Sequence, residues 1–233
     1  MLKKFALFTL IISLFISIPA AGLAYGSADD IIDESFPYLY IYDSRFEDVL
    51  AGQWFTPFVV EAFEKGLTSG VSKNLFDHGG KVTTIQAVTF ISKIHMILNY
   101  QTDYFLPTDP WFNSILDYAI GEGIVTEEIR EVLHKNITRG KFFQLMDTVL
   151  PEKVLQPVKP LPSGIIDPWT GLPEGLFNDL SAGSAYAPAV YKLYQAGIVS
   201  GDDLGNVNIK SELTRAEAAT LLVKITNSQL RLQ

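Results

Sequence analysis

Leu213-Thr214-Arg215-Ala216-Glu217 is written as a helix start. Thr214 stands at the N-cap and Glu217 three residues on, the reciprocal pair of a capping box in which each side chain serves the other's backbone N–H. Thr83-Thr84-Ile85-Gln86 carries the same box, and Ile137-Thr138-Arg139-Gly140 carries the same cap and the same arginine. Ile85, Val88, Ile91, Ile94 and Leu98 follow the first of these starts at helical spacing, which predicts a helix from Thr84 to about Tyr100 with one buried stripe. Ala216, Ala219, Leu222 and Ile225 take the same offsets after Thr214, so the same face is buried in both.

Working outward, a shift of 131 positions aligns Phe46–Phe90 with Phe177–Leu221 without a gap. Twelve of the 45 pairs are identical, where unrelated sequences would share about three. Phe46 and Asp48 fall on Phe177 and Asp179, Gly66 on Gly197, and Ser69-Gly70 on Ser200-Gly201. A third copy lies between them: Trp111-Phe112 precedes Ile120-Gly121-Glu122-Gly123-Ile124-Val125, and Ile137-Thr138-Arg139-Gly140 follows. In that copy no Phe-x-Asp opening is visible. Phe55, Phe58, Val59, Ala62 and Phe63 mark a first helix ahead of Gly66, a C-terminal stop, so each unit reads as helix, loop, helix. Units of fifty-odd residues bury too little surface to stand alone, and three of them should pool one core.

The rest of the chain frames these units, near 44–100, 101–156 and 176–233. Lys3-Lys4, the apolar run Phe5–Ile18 and the small residues before Tyr25 read as a secretory signal peptide over 1–24. No later stretch is long and apolar enough to span a membrane. Loss of Lys3 and Lys4 moves the formal charge from −8 to −10, which argues against sequence-independent nucleic-acid binding, whose phosphates need a basic face. The absence of cysteine excludes disulfides, thiolate metal sites and thiol nucleophiles. Residues 25–43 read as an acidic, extended arm with alternating tyrosines. Residues 151–175 hold six of the twelve prolines and three glycines, a connector (157–175 once the second unit ends) whose Trp169, Ile165 and Ile166 are expected to pack against the body.

Arg215 and Arg139 are the residues that helix geometry does not explain, because a cation in the first turn opposes the macrodipole. Two readings are open. A guanidinium beside free helix N–H groups makes a site for a carboxylate or phosphate, or the arginine makes a structural ion pair with an acidic residue of a neighbouring unit. Other constellations fail. Asp202-Asp203-Leu204-Gly205-Asn206 puts Leu204 and Leu213 where a calcium loop needs ligands. His78, His95 and His134 lack partners at metal spacing, and there is no phosphate loop or nucleophile elbow. The sequence calls for no cofactor and for no enzyme.

Phe177-Asn178-Asp179-Leu180, Ala196-Gly197-Ile198-Val199-Ser200-Gly201 and Leu213-Thr214-Arg215-Ala216-Glu217 together resemble the S-layer homology domain, in three tandem copies that cover nearly all of the mature chain. The resemblance implies an all-α, pseudo-threefold bundle sharing one core. Its inter-repeat grooves would bind secondary cell-wall polysaccharide, often pyruvylated, and so anchor a secreted protein non-covalently to a Gram-positive-type envelope. Carried over residue by residue, it names Arg215, Glu217 and Asp179 in the third copy, Arg139 and Trp111 in the second, and Asp48 and Trp54 in the first. The sequence departs from the pattern at Thr84, where the first copy lacks the arginine, and at Lys141, which replaces the glutamate of the second. At most two grooves are then equipped. The competing expectation is a degenerate member that keeps the fold as an envelope scaffold or protein-interaction unit.

Overall fold

The capping residues become helix starts. Thr83 accepts from the Gln86 N–H and Gln86 accepts from the Thr83 N–H, and Thr214 with Glu217 does the same. Thr138 accepts from Lys141 with no return contact, as expected where lysine replaces the acceptor. In this computed structural model, which describes residue 32 and residues 34–231, the helices are α1 (Thr56–Glu64), α2 (Thr84–Tyr100), α3 (Asn113–Gly121), α4 (Arg139–Val149), α5 (Ala187–Gln195) and α6 (Arg215–Thr226). Two 3₁₀ turns lie at Glu127–Val132 and Ser228–Leu230. The signal segment and the first part of the arm lie outside the described residues.

The first helix of each unit stops in the same way. Gly66, Gly123 and Gly197 take φ of +70°, +69° and +73°, a left-handed conformation that favours glycine. The next amide then reaches back over the last turn, Leu67 to Ala62, Ile124 to Ala119 and Ile198 to Leu193, each pair within 2.8–2.9 Å. The loop that follows is pinned to the Phe-x-Asp opening, where a side chain on Gly70 would meet the Phe46 ring at 2.6 Å and the Leu75 carbonyl at 2.8 Å.

Packing is exchanged between units rather than closed within them. α1 lies on α6, α3 on α2 and α5 on α4, so the first helix of each unit covers the second helix of the unit before it, with the third unit preceding the first. The residues just ahead of the three second helices close the circle through the backbone. Val82 N–H donates to the Leu213 carbonyl, Leu213 N–H to Ile137 and Ile137 N–H to Val82, at 2.9, 3.0 and 2.9 Å. These three side chains are buried, and the apolar cluster around them runs through all three units. The expected all-α architecture holds: among the described residues the extended pairings are isolated bridges, three of them in this ring. The closed ring of hydrogen bonds is the feature that supports a threefold arrangement.

The connector differs from expectation. Trp169 is 92% exposed and Ile165 81%, with Ile166 exposed as well. The cause is local: the Trp169 and Thr170 N–H groups donate to the Asp167 carboxylate and turn the chain outward. The connector is held instead through the buried Tyr191 hydroxyl, which donates to the Pro173 carbonyl, through Glu174 accepting from the Ala182 N–H, and through Leu161 and Leu172 packed on the core. The described part of the arm forms no strand; Leu39 and Tyr40 donate to the Glu64 carbonyl at the end of α1.

Candidate functional site

Two grooves lie on the surface, built to one plan. The first, about 350 Å³, is floored by the loop Gly66–Gly70 and walled by Gln86, Thr89, Phe90 and Lys93 of α2. The second, about 750 Å³, is lined by the loop 198–201 and by Glu217, Thr220, Leu221 and Lys224 of α6. The 131-residue shift that aligns the two units carries each of these positions except Gly66 from one groove onto the other, extending past the aligned block to pair Lys93 with Lys224.

Each groove borrows from both other units. Trp111, ahead of α3, and Arg215, which opens α6, complete the first groove. Trp54, ahead of α1, and Arg139, which opens α4, complete the second. The exchanged helix packing dictates this: the first helix that covers α2 or α6 brings its leading tryptophan to the rim. Both indoles are about half exposed, at 53% for Trp111 and 60% for Trp54, and each is held edge-on to the following phenylalanine. An exposed, fixed aromatic face is a stacking surface for a sugar ring. The arginine and glutamate that adjoin in Thr-Arg-Ala-Glu therefore serve different grooves, Arg215 the first and Glu217 the second.

The two arginines have different surroundings. Arg215 is 6% exposed. Its Nε donates to the Phe76 carbonyl at 2.7 Å and its guanidinium carbon sits 4.9 Å above the Phe76 ring. Burial pulls its pKa down, while Asp77 and Asp48, neither of which lines the groove, push it up. Arg139 repeats the carbonyl contact, Nε to Val207 at 3.1 Å, and adds an ion pair of 2.9 Å with Glu217. The two arginines thus differ: Arg139 forms an ion pair of the kind that one reading expected, and among the described residues Arg215 makes no salt bridge. What decides between them is the residue at the third helical position, Gln86 in one groove and Glu217 in the other. The capping signature hid this difference because glutamine and glutamate serve the box equally.

Asp48 and Asp179 stand behind the grooves rather than in them. Asp48 accepts from the Phe76 and His78 N–H groups at 2.8 and 3.1 Å, and Asp179 from Val207 and Asn208 at 2.8 and 2.7 Å. Each carboxylate holds the segment whose carbonyl receives the groove arginine. For Asp48, burial works to raise the carboxyl pKa, and the backbone donors at Phe76 and His78 more than offset it, leaving it below the ordinary value. Asp48→Asn leaves one of the two amides without its acceptor and is expected to cost ~1–3 kcal/mol at neutral pH. Because the folded-state pKa is lowered, the native contribution is present above the unfolded carboxylate range and lost as pH falls through the lowered value. Denaturant unfolding of the two proteins should therefore begin to converge as pH falls below about 4 and coincide once pH is below the lowered folded-state value; a gap that stays constant through that fall contradicts the assignment.

The corresponding surface of the second unit is not equipped. Thr84 stands in place of the arginine and donates to the Lys135 carbonyl, and Ala185 takes the tryptophan position by the 131-residue shift. Gln144 of α4 donates to the Ala185 carbonyl across that space. The histidines are absorbed elsewhere, His78 stacked on Phe55, His95 hydrogen-bonded to Tyr118 and His134 edge-on to Phe112. Among the described residues no group of His, Asp and Glu could hold a metal ion, and no helix is long and apolar enough to cross a membrane.

Residues 176–219 match the family model described as the S-layer homology domain. No curated protein matches the chain.

Proposed function

We propose that the chain, residues 176–219 of which match the S-layer homology domain model, is a non-catalytic cell-wall anchor that holds anionic, pyruvylated secondary cell-wall polysaccharide in the two equipped grooves. The observation that carries this reading is Arg215: a buried arginine, its residue 6% exposed, that lines a groove whose lining includes no carboxylate, beside the half-exposed Trp111. A sugar carboxylate there would make a charge-assisted hydrogen bond, and the ring would rest on the indole. The loop Gly66–Gly70 lets its backbone approach the sugar closely, because it carries glycine at both ends. Arg139, Trp54 and Glu217 line the second groove on the same plan, and Asp48 and Asp179 act by fixing the loops behind the arginines.

In this reading the mature chain is secreted and held at the surface of a Gram-positive-type envelope, its ligand a glycan linked to peptidoglycan. It should co-sediment with sacculi that retain the secondary polymer and stay in the supernatant when the polymer has been stripped. Equal sedimentation with stripped sacculi would overturn the reading. A scaffold that has lost glycan binding is favoured only by the surface of the second unit, where Thr84 of the first unit and Ala185 of the third stand at the arginine and tryptophan positions; capture of a protein partner in place of polymer would support it.

A further inference from the structure

Resting on that reading, we infer that the two grooves select ligands of different charge, the first taking the carboxylate-bearing sugar of the polymer and the second an uncharged sugar, with Gln86 and Glu217 as the residues that decide. The first groove is lined by two cations, Arg215 and Lys93, and by no carboxylate. Lys93 lies 3.8 Å from Asp103, which is outside the lining. The second is lined by two cations, Arg139 and Lys224, against Asp202, Asp203 and Glu217.

The accessible donors differ in the same sense. In the first groove the guanidinium spends one N–H on the Phe76 carbonyl, and Gln86 offers no charge to hold the rest. In the second, Arg139 donates to both Val207 and the Glu217 carboxylate. Glu217 is itself fixed, because its other oxygen accepts from the Thr214 N–H and hydroxyl, each at 2.8 Å. An anion entering the second groove must break that pair and approach two aspartates, and like charge at such range opposes it. A neutral sugar stacked on Trp54 meets neither cost. The larger volume, about 750 Å³ against about 350 Å³, gives such a ring room.

The exchange of these two side chains is a clean test because each is already the native solution at the equivalent position. Gln86→Glu keeps the capping box and adds an acidic residue where the helix dipole favours it, and Glu217→Gln keeps the box that Gln86 forms with Thr83. Thermal unfolding should confirm that both variants fold. The probes are the secondary polymer released from sacculi and the same polymer after carbodiimide activation and borohydride reduction of its carboxylates to alcohols, titrated calorimetrically. Wild type should bind the native polymer at least tenfold more tightly than the reduced one. Gln86→Glu should lose at least tenfold on native polymer and much less on reduced polymer, so that its preference for the native form falls, whereas Glu217→Gln should gain affinity for native polymer. Equal affinities of wild type and Gln86→Glu for native polymer, with wild-type binding intact, overturn the selectivity and leave the anchor standing. Wild type that binds neither polymer overturns both.

Discussion

Arg215→Ala is expected to weaken binding of the acidic polymer by ~1.5–3 kcal/mol, the range for a lost charge-assisted hydrogen bond, which is from about tenfold to more than a hundredfold in affinity. The size of the effect follows from burial. Taking a guanidinium out of water is costly unless its donors are met, and among the described residues Arg215 has the Phe76 carbonyl and ring and no ion pair. A ligand carboxylate supplies what the fold leaves out. Arg215→Lys keeps the charge but not the planar fork, and cannot hold the Phe76 carbonyl while reaching into the groove; it should recover only a small part of the loss. Arg139→Ala is the internal control. There the ligand competes with Glu217 for a guanidinium already paired at 2.9 Å, so the loss on acidic polymer should be at least threefold smaller than for Arg215→Ala. Calorimetry on the three variants checks the order, and equal losses at the two arginines would show that the Arg139 pair opens to ligand.

How much of this could be read from the sequence depends on the distance over which each residue acts. Capping boxes, apolar stripes and stop glycines are local, and Thr83, Thr214, Gly66 and Gly197 do in the structure what their spacing predicted. The arginines and tryptophans were also visible, because a cation in a first turn needs a reason and a tryptophan ahead of a helix recurs in two units. Which residues meet was not visible. Arg215 and Glu217 are two apart in the chain and in different grooves, whereas Arg215 and Trp111 are over a hundred apart and in the same one. That assignment is fixed by the exchange of first helices between neighbours, a property of the closed ring that no single unit encodes. The aspartates were misleading for a related reason: a carboxylate repeated in two copies is as much needed to pin a loop as to touch a ligand, and Asp48 and Asp179 spend their oxygens on backbone amides. Trp169 and its two isoleucines escaped because apolarity predicts burial only where the backbone allows it, and the Asp167 turn directs them outward.

If the grooves bind as proposed, the surface of the second unit makes ligand binding and assembly separable in this fold. Thr84 lacks a guanidinium yet keeps the assembly contact, its backbone N–H and hydroxyl both donating to the Lys135 carbonyl, as the Arg215 N–H donates to Gly80 and the Arg139 N–H to Ser211. The ring is therefore indifferent to whether an arginine follows the cap, which lets one groove lose its chemistry without loss of the core.

Leu213→Ala tests that core directly and is expected to destabilise the whole chain by ~2–5 kcal/mol, as for other large-to-small changes at fully buried sites. Leu213 has no exposed surface, its carbonyl accepts from Val82 of the first unit and its N–H donates to Ile137 of the second. A cavity at this point is shared by three units at once. The unfolding curve should keep one transition and move to lower denaturant with an unchanged slope, since the surface exposed on unfolding is the same. Val82→Ala, at an equivalent corner, should shift the same single transition by a smaller amount because less side chain is removed, and Ile137→Ala by an amount similar to Leu213→Ala. The double substitution of Leu213 and Ile137 should depart from additivity, since the two residues are in contact through the ring. If instead Leu213→Ala split the curve into an early step for the third unit and a late step for the other two, the units would be stable in parts, and the exchange of helices around the ring would be packing without cooperative consequence.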